Sequence, residues 1–309
     1  MSTKGTASVT TRELTVQNGE VSLAGSLSEP AHRPSAVVLM HPGSGPSDRH
    51  NDVYYPPIRD HLVASGYAVC SFDKRGVGES TGDWRETSID DQASDVAACI
   101  DHITSVLQGV PVGLFGHSQG GWVVVEAGAR RRDVAFVVAN SGPGVTPAAQ
   151  ERYALAVLLG ERARDPREFC DAMRCFDLVV TCLSCGFDHE RAAGYIERAG
   201  LTPMFHRTDL FPFPLDDPEV WNYAGVILDH DPRQALRALR VPTLALFGGD
   251  DAIVPVEASV AVYEACVPPD LLSVAVLAGG DHRLQHDGRL VDSYFSVLDA
   301  FIEQALTRR

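Results

Sequence analysis

Six short apolar runs alternate with helix-like segments along this chain, and this alternation constrains the fold more than any other feature. The runs lack the polar alternation of a half-exposed strand, which is typical of parallel strands buried on both faces. The pattern predicts an α/β fold with a mostly parallel central sheet and helices on both faces. The runs are Ala36–Met40, Tyr67–Phe72, Pro111–Phe115, Val134–Ala139, Thr243–Phe247 and Leu272–Leu277. The helix-like segments are Tyr55–Ser65, Ile89–Leu107, Gly120–Arg131, Val256–Ala265 and Leu290–Leu306.

The segments outside this rhythm define the expected domain organisation. Arg12–Asn18 and Val21–Ser28 predict a β-hairpin, because the Asn18-Gly19 pair between them is a strong turn signal. Residues 144–235 contain no buried-strand pattern and predict an inserted helical cap over the carboxyl edge of the sheet, where open α/β sheets bind ligands. We therefore expect an α/β core of residues 12–143 and 236–309, a cap of residues 144–235 and a flexible N-terminus of residues 1–11.

The composition excludes several classes of protein. A hydrophobic content of 45% and a charged content of 22% are typical of a globular chain rather than a disordered one. The net charge of −15, without a Lys/Arg run of the kind that forms the basic surface of a nucleic-acid binder, argues against nucleic acid or an anionic membrane as a partner. The absence of an apolar stretch of about 18 residues predicts no membrane span.

Two residue counts bear on the compartment and the source. The seven cysteines are an odd number, and Met1–Arg12 has no apolar core, so we expect reduced thiols in a cytoplasm rather than a secreted disulfide scaffold. Only Lys4 and Lys74 are lysines among the 26 basic residues, a bias that we take as typical of a GC-rich bacterial genome.

The segment Gly116-His117-Ser118-Gln119-Gly120-Gly121 carries the strongest chemical signal. It follows an apolar run and opens a helix-like stretch, the context in which Gly-x-Ser-x-Gly lifts a serine hydroxyl out of a strand. The flanking glycines leave room for the backbone to pass closely. We interpret Ser118 as a nucleophile rather than a solvated serine in a tight turn. The Gln119 N–H, at the helix start, is the expected oxyanion donor.

A serine nucleophile requires a base, and the base in turn requires an acid. His282 follows the last apolar run in Gly279-Gly280-Asp281-His282, so it reaches the carboxyl edge of the sheet. Its nearest competitor, His286, is placed inside the next turn. Asp250 and Asp251, which follow the Thr243–Phe247 run, both remain candidates for the acid on this reasoning.

These motifs together resemble the α/β-hydrolase superfamily from about residue 12 to the end, and most closely its serine esterase and acyl-peptidase-like members with a helical cap. The family acid falls in a Gly-x-x-Asp-x-x-Val-Pro pattern, and Gly248, Asp251, Val254 and Pro255 match that pattern. The resemblance therefore implies Asp251 as the acid. The chain order Ser118, Asp251, His282 is the order expected of this fold.

The loop His41-Pro42-Gly43-Ser44-Gly45-Pro46 resembles the His-Gly-x loops that supply a second oxyanion donor in this family. Pro42 stands where the first glycine would be, and proline has no N–H to donate. Counting from His41 makes Gly43 the donor, whereas alignment on Gly-Ser-Gly-Pro makes Ser44 the donor. Both residues remain candidates.

Three further features have predicted roles. Asp73-Lys74-Arg75-Gly76 opens another family pattern, in which Asp73 and Arg75 are expected to brace loops through charge-assisted hydrogen bonds. The cysteines of the cap are expected to be small buried thiols, because no second Cys-x-x-Cys pair follows Cys182–Cys185. Three phenylalanines fit pocket lining and plain packing equally well: Phe205, Phe211 and Phe213.

The sequence thus predicts a serine hydrolase in which Ser118 attacks a carbonyl, His282 takes its proton and Asp251 holds the imidazolium. The implied substrate is a small-molecule carboxylic ester, lactone or thioester, and no cofactor or metal is expected. The alternative is a non-hydrolytic acyltransferase, cyclase or lyase of a bacterial biosynthetic pathway, and a third class is a binding protein with a vestigial site. The oligomeric state is not indicated.

Overall fold

The computed structural model describes residues 9–308, within which eight strands form one sheet. The strands are β1 (Thr10–Asn18), β2 (Val21–Glu29), β3 (Val37–His41), β4 (Ala68–Phe72), β5 (Val112–His117), β6 (Val134–Asn140), β7 (Thr243–Gly248) and β8 (Leu272–Leu277). Their order in the sheet is β1-β2-β4-β3-β5-β6-β7-β8. The β1–β2 and β2–β4 pairs are antiparallel and the other pairs are parallel, so the predicted mostly parallel sheet is confirmed.

The helices follow the predicted alternation. They are α1 (Tyr55–Ala64), α2 (Ile89–Val106), α3 (Gln119–Arg130), α4 (Pro147–Arg162), α5 (Pro166–Ser184), α6 (His189–Arg198), α7 (Thr202–Phe205), α8 (Pro218–Ile227), α9 (Arg233–Ala238), α10 (Val256–Cys266) and α11 (Tyr294–Thr307). One predicted boundary is wrong, because α11 begins four residues after Leu290. Leu290 instead pairs with Gln285 in a short hairpin of β9 (Gln285–His286) and β10 (Arg289–Leu290), which also holds His286.

Separate apolar clusters cover the two faces of the sheet. On β3, Val37 and Leu39 belong to one cluster while Val38 and Met40 belong to the other, as the period-two alternation of a strand requires. Side chains of α2, α3 and α10 complete the first cluster, and side chains of α1 and α11 complete the second. The prediction that helices lie on both faces is confirmed.

The N-terminal hairpin forms at the predicted turn, since Asn18 pairs with Val21 across Gly19, whose φ is +60°. Strand β1 begins at Thr10, which pairs with Glu29. The expectation of a flexible segment over residues 1–11 is therefore wrong for Thr10 and Thr11. The part of that expectation on residues 1–8 lies outside the described residues.

The helical insertion, defined here as residues 144–235, joins β6 to β7 and has an apolar cluster of its own. On α5, Ala172, Phe176 and Val179 recur at helical spacing and face this cluster. Phe205 and Phe211 lie inside it and Phe213 packs against it, so the three rings serve packing. Within residues 9–308, every helix is too short or too polar to cross a lipid bilayer.

The cysteines of the helical insertion divide into two pairs. Cys175 and Cys182 are buried in its apolar cluster, as expected. Cys170 and Cys185 are exposed, so the expectation of buried thiols is wrong for these two. Cys185 is the residue at which α5 ends, where the chain turns away from the cluster.

Candidate active site

Ser118 lies at the sharp turn between β5 and α3. Its φ of 54° and ψ of −122° are unusual for a residue with a side chain and cost about 1–3 kcal/mol. Two backbone hydrogen bonds hold this turn, from Ser118 N–H to the Asn140 carbonyl at 3.0 Å and from Gly121 N–H to the Ser118 carbonyl at 2.8 Å. The surrounding structure therefore compensates for the strain and raises the serine side chain above the strand.

The two glycines of the Gly-x-Ser-x-Gly pattern are required by close backbone approach. A Cβ at Gly116 would lie 2.0 Å from the carbonyl oxygen of Gly120. A Cβ at Gly120 would lie 2.4 Å from the carbonyl oxygen of His41. These backbone atoms have little freedom to move away, so the turn and the loop after β3 can come together only without side chains at these positions.

Asp251 and His282 are brought together at the ends of the neighbouring strands β7 and β8. His282 Nδ1 donates to Asp251 Oδ2 at 2.9 Å, and the Asp251 side chain is fully buried. Asp251 Oδ1 accepts the N–H groups of Ile253 and Val254 at 2.8 and 2.9 Å. The carboxylate is thereby oriented, and His282 Nε2 is left free to receive a proton.

The competing residues are placed differently. Asp250 is exposed, and its backbone N–H donates to the Gly280 carbonyl. His286 is exposed in β9, and its imidazole lies 3.7 Å from the Asp287 carboxylate. Within residues 9–308, the hydroxyl of Ser118 makes no hydrogen bond, and His282 lies beside the His117 ring, with centroids 5.0 Å apart.

The loop after β3 passes over Ser118. Gly43 is buried, and a Cβ built on it would lie 3.6 Å from the Ser118 Cβ. The Gly43 N–H donates to Asn51 Oδ1 at 3.2 Å, while Ser44 is exposed. Asn51 is 6% exposed and has a φ of +46°. Of the two candidate donor residues in this loop, Gly43 is the buried one, and a side chain on it would point at Ser118.

Lys74 is a buried cation beside this loop. Its Nζ donates to the Gly43 carbonyl at 3.1 Å and to Gln119 Oε1 at 2.7 Å. Burial lowers the pKa of Lys74 from 10.5 to about 7. One side chain therefore connects the loop after β3 with the residue that follows Ser118.

Behind His282, a polar network surrounds His117. The side chain of Asn140 donates to the Tyr54 hydroxyl at 2.9 Å and accepts from the Tyr294 hydroxyl at 3.0 Å. The His117 Nδ1 lies 3.1 Å from the nitrogen of the same amide, and the His117 ring is tilted against the Tyr54 ring with centroids 4.7 Å apart. Burial, with the nearby His282, holds the pKa of His117 well below 6.5. His117 thus stays neutral and adds no charge beside the base.

The helical insertion reaches the same edge of the sheet. The Tyr153 hydroxyl of α4 donates to the Asp251 carbonyl at 3.1 Å, and Gln119 Nε2 donates to the Tyr223 hydroxyl of α8 at 2.9 Å. Burial raises the pKa of the Glu151 carboxyl, while the nearby His282 acts in the opposite direction. The insertion therefore places an acidic and a phenolic group close to the candidate triad.

The predicted bracing by the Asp73-Lys74-Arg75 segment is confirmed. Asp73 accepts from the Arg49 backbone N–H at 2.7 Å and pairs with its guanidinium at 2.8 Å. Arg75 pairs with Asp95 of α2 at 2.7 Å. These ion pairs fix the loop after β4 against the loop after β3 and against α2.

Sequence reasoning missed several of the residues that surround the site: Asn51, Lys74, His117, Glu151 and Tyr223. Signals existed for Lys74, which is one of two lysines in a chain rich in arginine and lies inside a recognised motif, and for His117, which precedes Ser118 in the Gly-x-Ser-x-Gly pattern. Asn51, Glu151 and Tyr223 reach the site from other segments, and 104 residues separate Gln119 from Tyr223. No local pattern indicates such contacts.

Comparisons with known proteins agree with the fold. A family model described as serine aminopeptidase, S33, matches residues 32–165. Protein phosphatase methylesterase 1 of Candida albicans is 28% identical over 98 residues, which cover 32% of this chain and 26% of that protein. Solved structures also match, among them two with a TM-score of 0.62. An esterase of Pyrococcus furiosus is 16% identical, covering 97% of this chain and 91% of that one. A proline iminopeptidase of Mycobacterium smegmatis is 18% identical, covering 96% and 99%.

Proposed function

Because this chain has the fold of the α/β-hydrolases and a serine aminopeptidase family model matches residues 32–165, we propose that it is a serine hydrolase that cleaves a carboxylic ester, lactone or thioester through an acyl-enzyme on Ser118. One observation carries the proposal. A buried Asp251 orients His282 through a 2.9 Å hydrogen bond at the edge of the sheet where Ser118 is held in a strained turn. Orientation of an imidazole by a buried carboxylate is what a hydroxyl nucleophile requires of its base.

The proposed reaction has two halves. Ser118 Oγ attacks the carbonyl carbon while His282 Nε2 takes the hydroxyl proton, and Asp251 stabilises the imidazolium. Collapse of the tetrahedral intermediate expels the alcohol or thiol, which receives its proton from His282. Water, deprotonated by His282, then attacks the acyl-enzyme and releases the acid.

The oxyanion is proposed to accept two backbone N–H groups. Gln119 N–H lies at the start of α3, where the helix dipole also favours negative charge. We assign the second donor to Gly43 rather than Ser44, because Gly43 is buried against Ser118. The Gly43 N–H would then exchange its present acceptor, Asn51 Oδ1, for the oxyanion. Loss of one such donor typically costs about 10²–10³ in rate.

The remaining features of the proposal concern setting and substrate. We propose that residues 144–235 act as a cap that bounds the substrate site, since Tyr153 and Tyr223 of this insertion contact Asp251 and Gln119. The substrate is proposed to be a small acyl compound rather than a nucleic acid or a membrane. A cytoplasmic setting in a bacterial cell is proposed because all seven cysteines are free thiols.

The test is turnover of a p-nitrophenyl ester series, from short to long acyl chains, by the wild type and Ser118→Ala. Ser141→Ala is the matched control, since Ser141 is also buried, has a φ of +49° and follows the neighbouring strand. We expect Ser118→Ala to lose about 10³-fold or more and the control to keep its activity. Equal activity of Ser118→Ala and the wild type would overturn the proposal.

A fluorophosphonate probe covers the case of a specialised substrate. Labelling of the wild type, but not of Ser118→Ala, is expected even if the simple esters are poor substrates. Absence of labelling and of turnover would reject the serine-hydrolase assignment. Product that forms only when an acceptor alcohol or amine is added would replace hydrolysis by acyl transfer.

A further inference from the structure

Lys74 carries a charge that the proposed reaction does not use. The residue follows β4, is 5% exposed, and donates only to neutral oxygens, the Gly43 carbonyl and Gln119 Oε1. Within residues 9–308, no carboxylate forms an ion pair with it. The two nearby carboxylates are already engaged, Asp73 by Arg49 and Asp95 by Arg75.

Burial of an unpaired ammonium group opposes folding, because water solvates the charge far better than two neutral oxygens do. An apolar side chain of similar length would fill the same space without that penalty. The position of the charge is therefore better explained by function than by stability.

We propose that Lys74 is a positioning residue of the oxyanion hole, which clamps the two donor-bearing segments together and places a positive charge behind them. This inference rests on the proposed function. The Gly43 carbonyl belongs to the same planar peptide as the Ser44 N–H, so the hydrogen bond from Lys74 fixes that plane. The Gly43 N–H, on the other side of the Gly43 Cα, is restrained with it. On the other side, the Gln119 side-chain amide is held between Lys74 and the Tyr223 hydroxyl, which restrains the first residue of α3.

The titratable groups around Lys74 keep a constant charge near pH 7, so the charge of Lys74 is the one that changes with pH. His41, on the neighbouring β3, stays neutral, because burial and then the Lys74 charge lower its pKa to about 3. Burial raises the pKa of the Tyr223 hydroxyl and of the Cys99 thiol, so both also stay neutral near pH 7. The remaining charged groups near this end of β4 form the pairs Arg49–Asp73 and Arg75–Asp95.

A negative oxyanion formed at Ser118 would stabilise the ammonium form of Lys74, as an opposite charge nearby always does. Its protonation and the formation of the tetrahedral intermediate are therefore linked. The wild type should lose kcat as Lys74 loses its proton, and KM should change little.

The chain allows a direct measurement, since it contains only two lysines, Lys4 and Lys74. Protein labelled with ¹³C-lysine gives two Cε signals, which Lys4→Met assigns. We expect the Lys74 signal to titrate far below the Lys4 signal, and to shift upward by at least about one pH unit when a phenylboronic acid forms its anionic adduct on Ser118. Ser118→Ala should abolish that shift. A Lys74 midpoint that does not move on adduct formation would overturn the inference.

Kinetics provide the second test. Lys74→Met should lower kcat by roughly 10- to 100-fold, which is a smaller loss than removal of a direct oxyanion donor causes. Lys74→Arg should recover part of the lost kcat. The fall of kcat at alkaline pH should be present in the wild type and in the control, Lys4→Met, but absent in Lys74→Met. The fluorophosphonate could label the wild type while Lys74→Met has the same kcat and pH profile as the wild type. That result would refute the role of Lys74 and leave the proposed function standing. Failure of wild-type labelling and turnover would instead refute the proposed function.

Discussion

Gln119, the residue after the candidate nucleophile, is joined to Tyr223 of the helical insertion by a 2.9 Å hydrogen bond from its side-chain amide to the phenol oxygen. The same amide accepts from Lys74 through its oxygen. Trp84 packs edge-on against the Tyr223 ring, and Arg85 pairs with Glu219 of the same helix. The position of α8 is therefore connected to the position of the proposed oxyanion hole.

Removal of the Tyr223 hydroxyl should weaken this connection. Tyr223→Phe leaves the ring against Trp84 but deletes the hydrogen bond with Gln119 and the hydrogen bond with the Gly45 backbone. A hydrogen bond is typically worth about 0.5–1.5 kcal/mol. We expect kcat/KM for a p-nitrophenyl ester to fall by about two- to tenfold. Tyr195→Phe, on the exposed side of α6, is the control and should match the wild type. A Tyr223→Phe variant as active as this control would show that the contact has no effect on the site.

Substitution of Asp251 and of its neighbour Asp250 should show which of the two carboxylates is the acid of the triad. Asp251→Asn preserves shape but no longer stabilises the imidazolium, and it favours the wrong tautomer of His282. By comparison with other triads, kcat should fall by about 10⁴-fold. Asp250→Asn should stay near wild-type kcat, because Asp250 is exposed and contacts the site region only through its backbone. The reverse ranking of the two variants would reassign the acid.

Gly120 should tolerate no side chain. In Gly120→Ala the new methyl would approach the His41 and Pro42 carbonyl oxygens to within 2.6 Å, and backbone would have to move. We expect a loss of more than about 2 kcal/mol in the free energy of unfolding, measured by urea denaturation. Gly160→Ala, in α4, meets open space and should be stabilising by about 0.5–1 kcal/mol. Equal effects at the two positions would contradict the close packing of the elbow.

The stability contribution of Lys74 should depend on pH in a defined direction. Burial lowers its pKa from 10.5 to about 7, so between these values the unfolded chain binds more protons than the native protein. The wild type therefore gains stability as pH rises through this range. The Tm of Lys74→Met minus that of the wild type should be greatest near about pH 6 and should fall up to about pH 9. Lys4→Met should show no such trend, and a constant difference for Lys74→Met would contradict the burial of the charge.

Much of the fold followed from local sequence, because the spacing of apolar residues decides which face of a strand or helix can be buried. All six predicted strands and five predicted helices of the core are present, and the Asn18-Gly19 turn forms as expected. The predictions that failed concern residues whose local apolar pattern competes with strand pairing. Leu290 has the apolar character of a helix residue, yet it pairs with Gln285 in a short hairpin.

The residues of the candidate site also fall into those that local sequence indicates and those that it does not indicate. Ser118 could be predicted because its strained turn requires glycines two residues away. The local pattern left both Asp250 and Asp251 open as the acid, and the family resemblance pointed to Asp251, whose carboxylate accepts the N–H groups of Ile253 and Val254 in the structure. The clamp of Lys74 on Gly43 and Gln119, and the bond from Gln119 to Tyr223, arise only when distant segments meet at one edge of the sheet. Short-range pattern determines the elements and the residues at their ends, whereas long-range packing decides which of those residues share charge and hydrogen bonds.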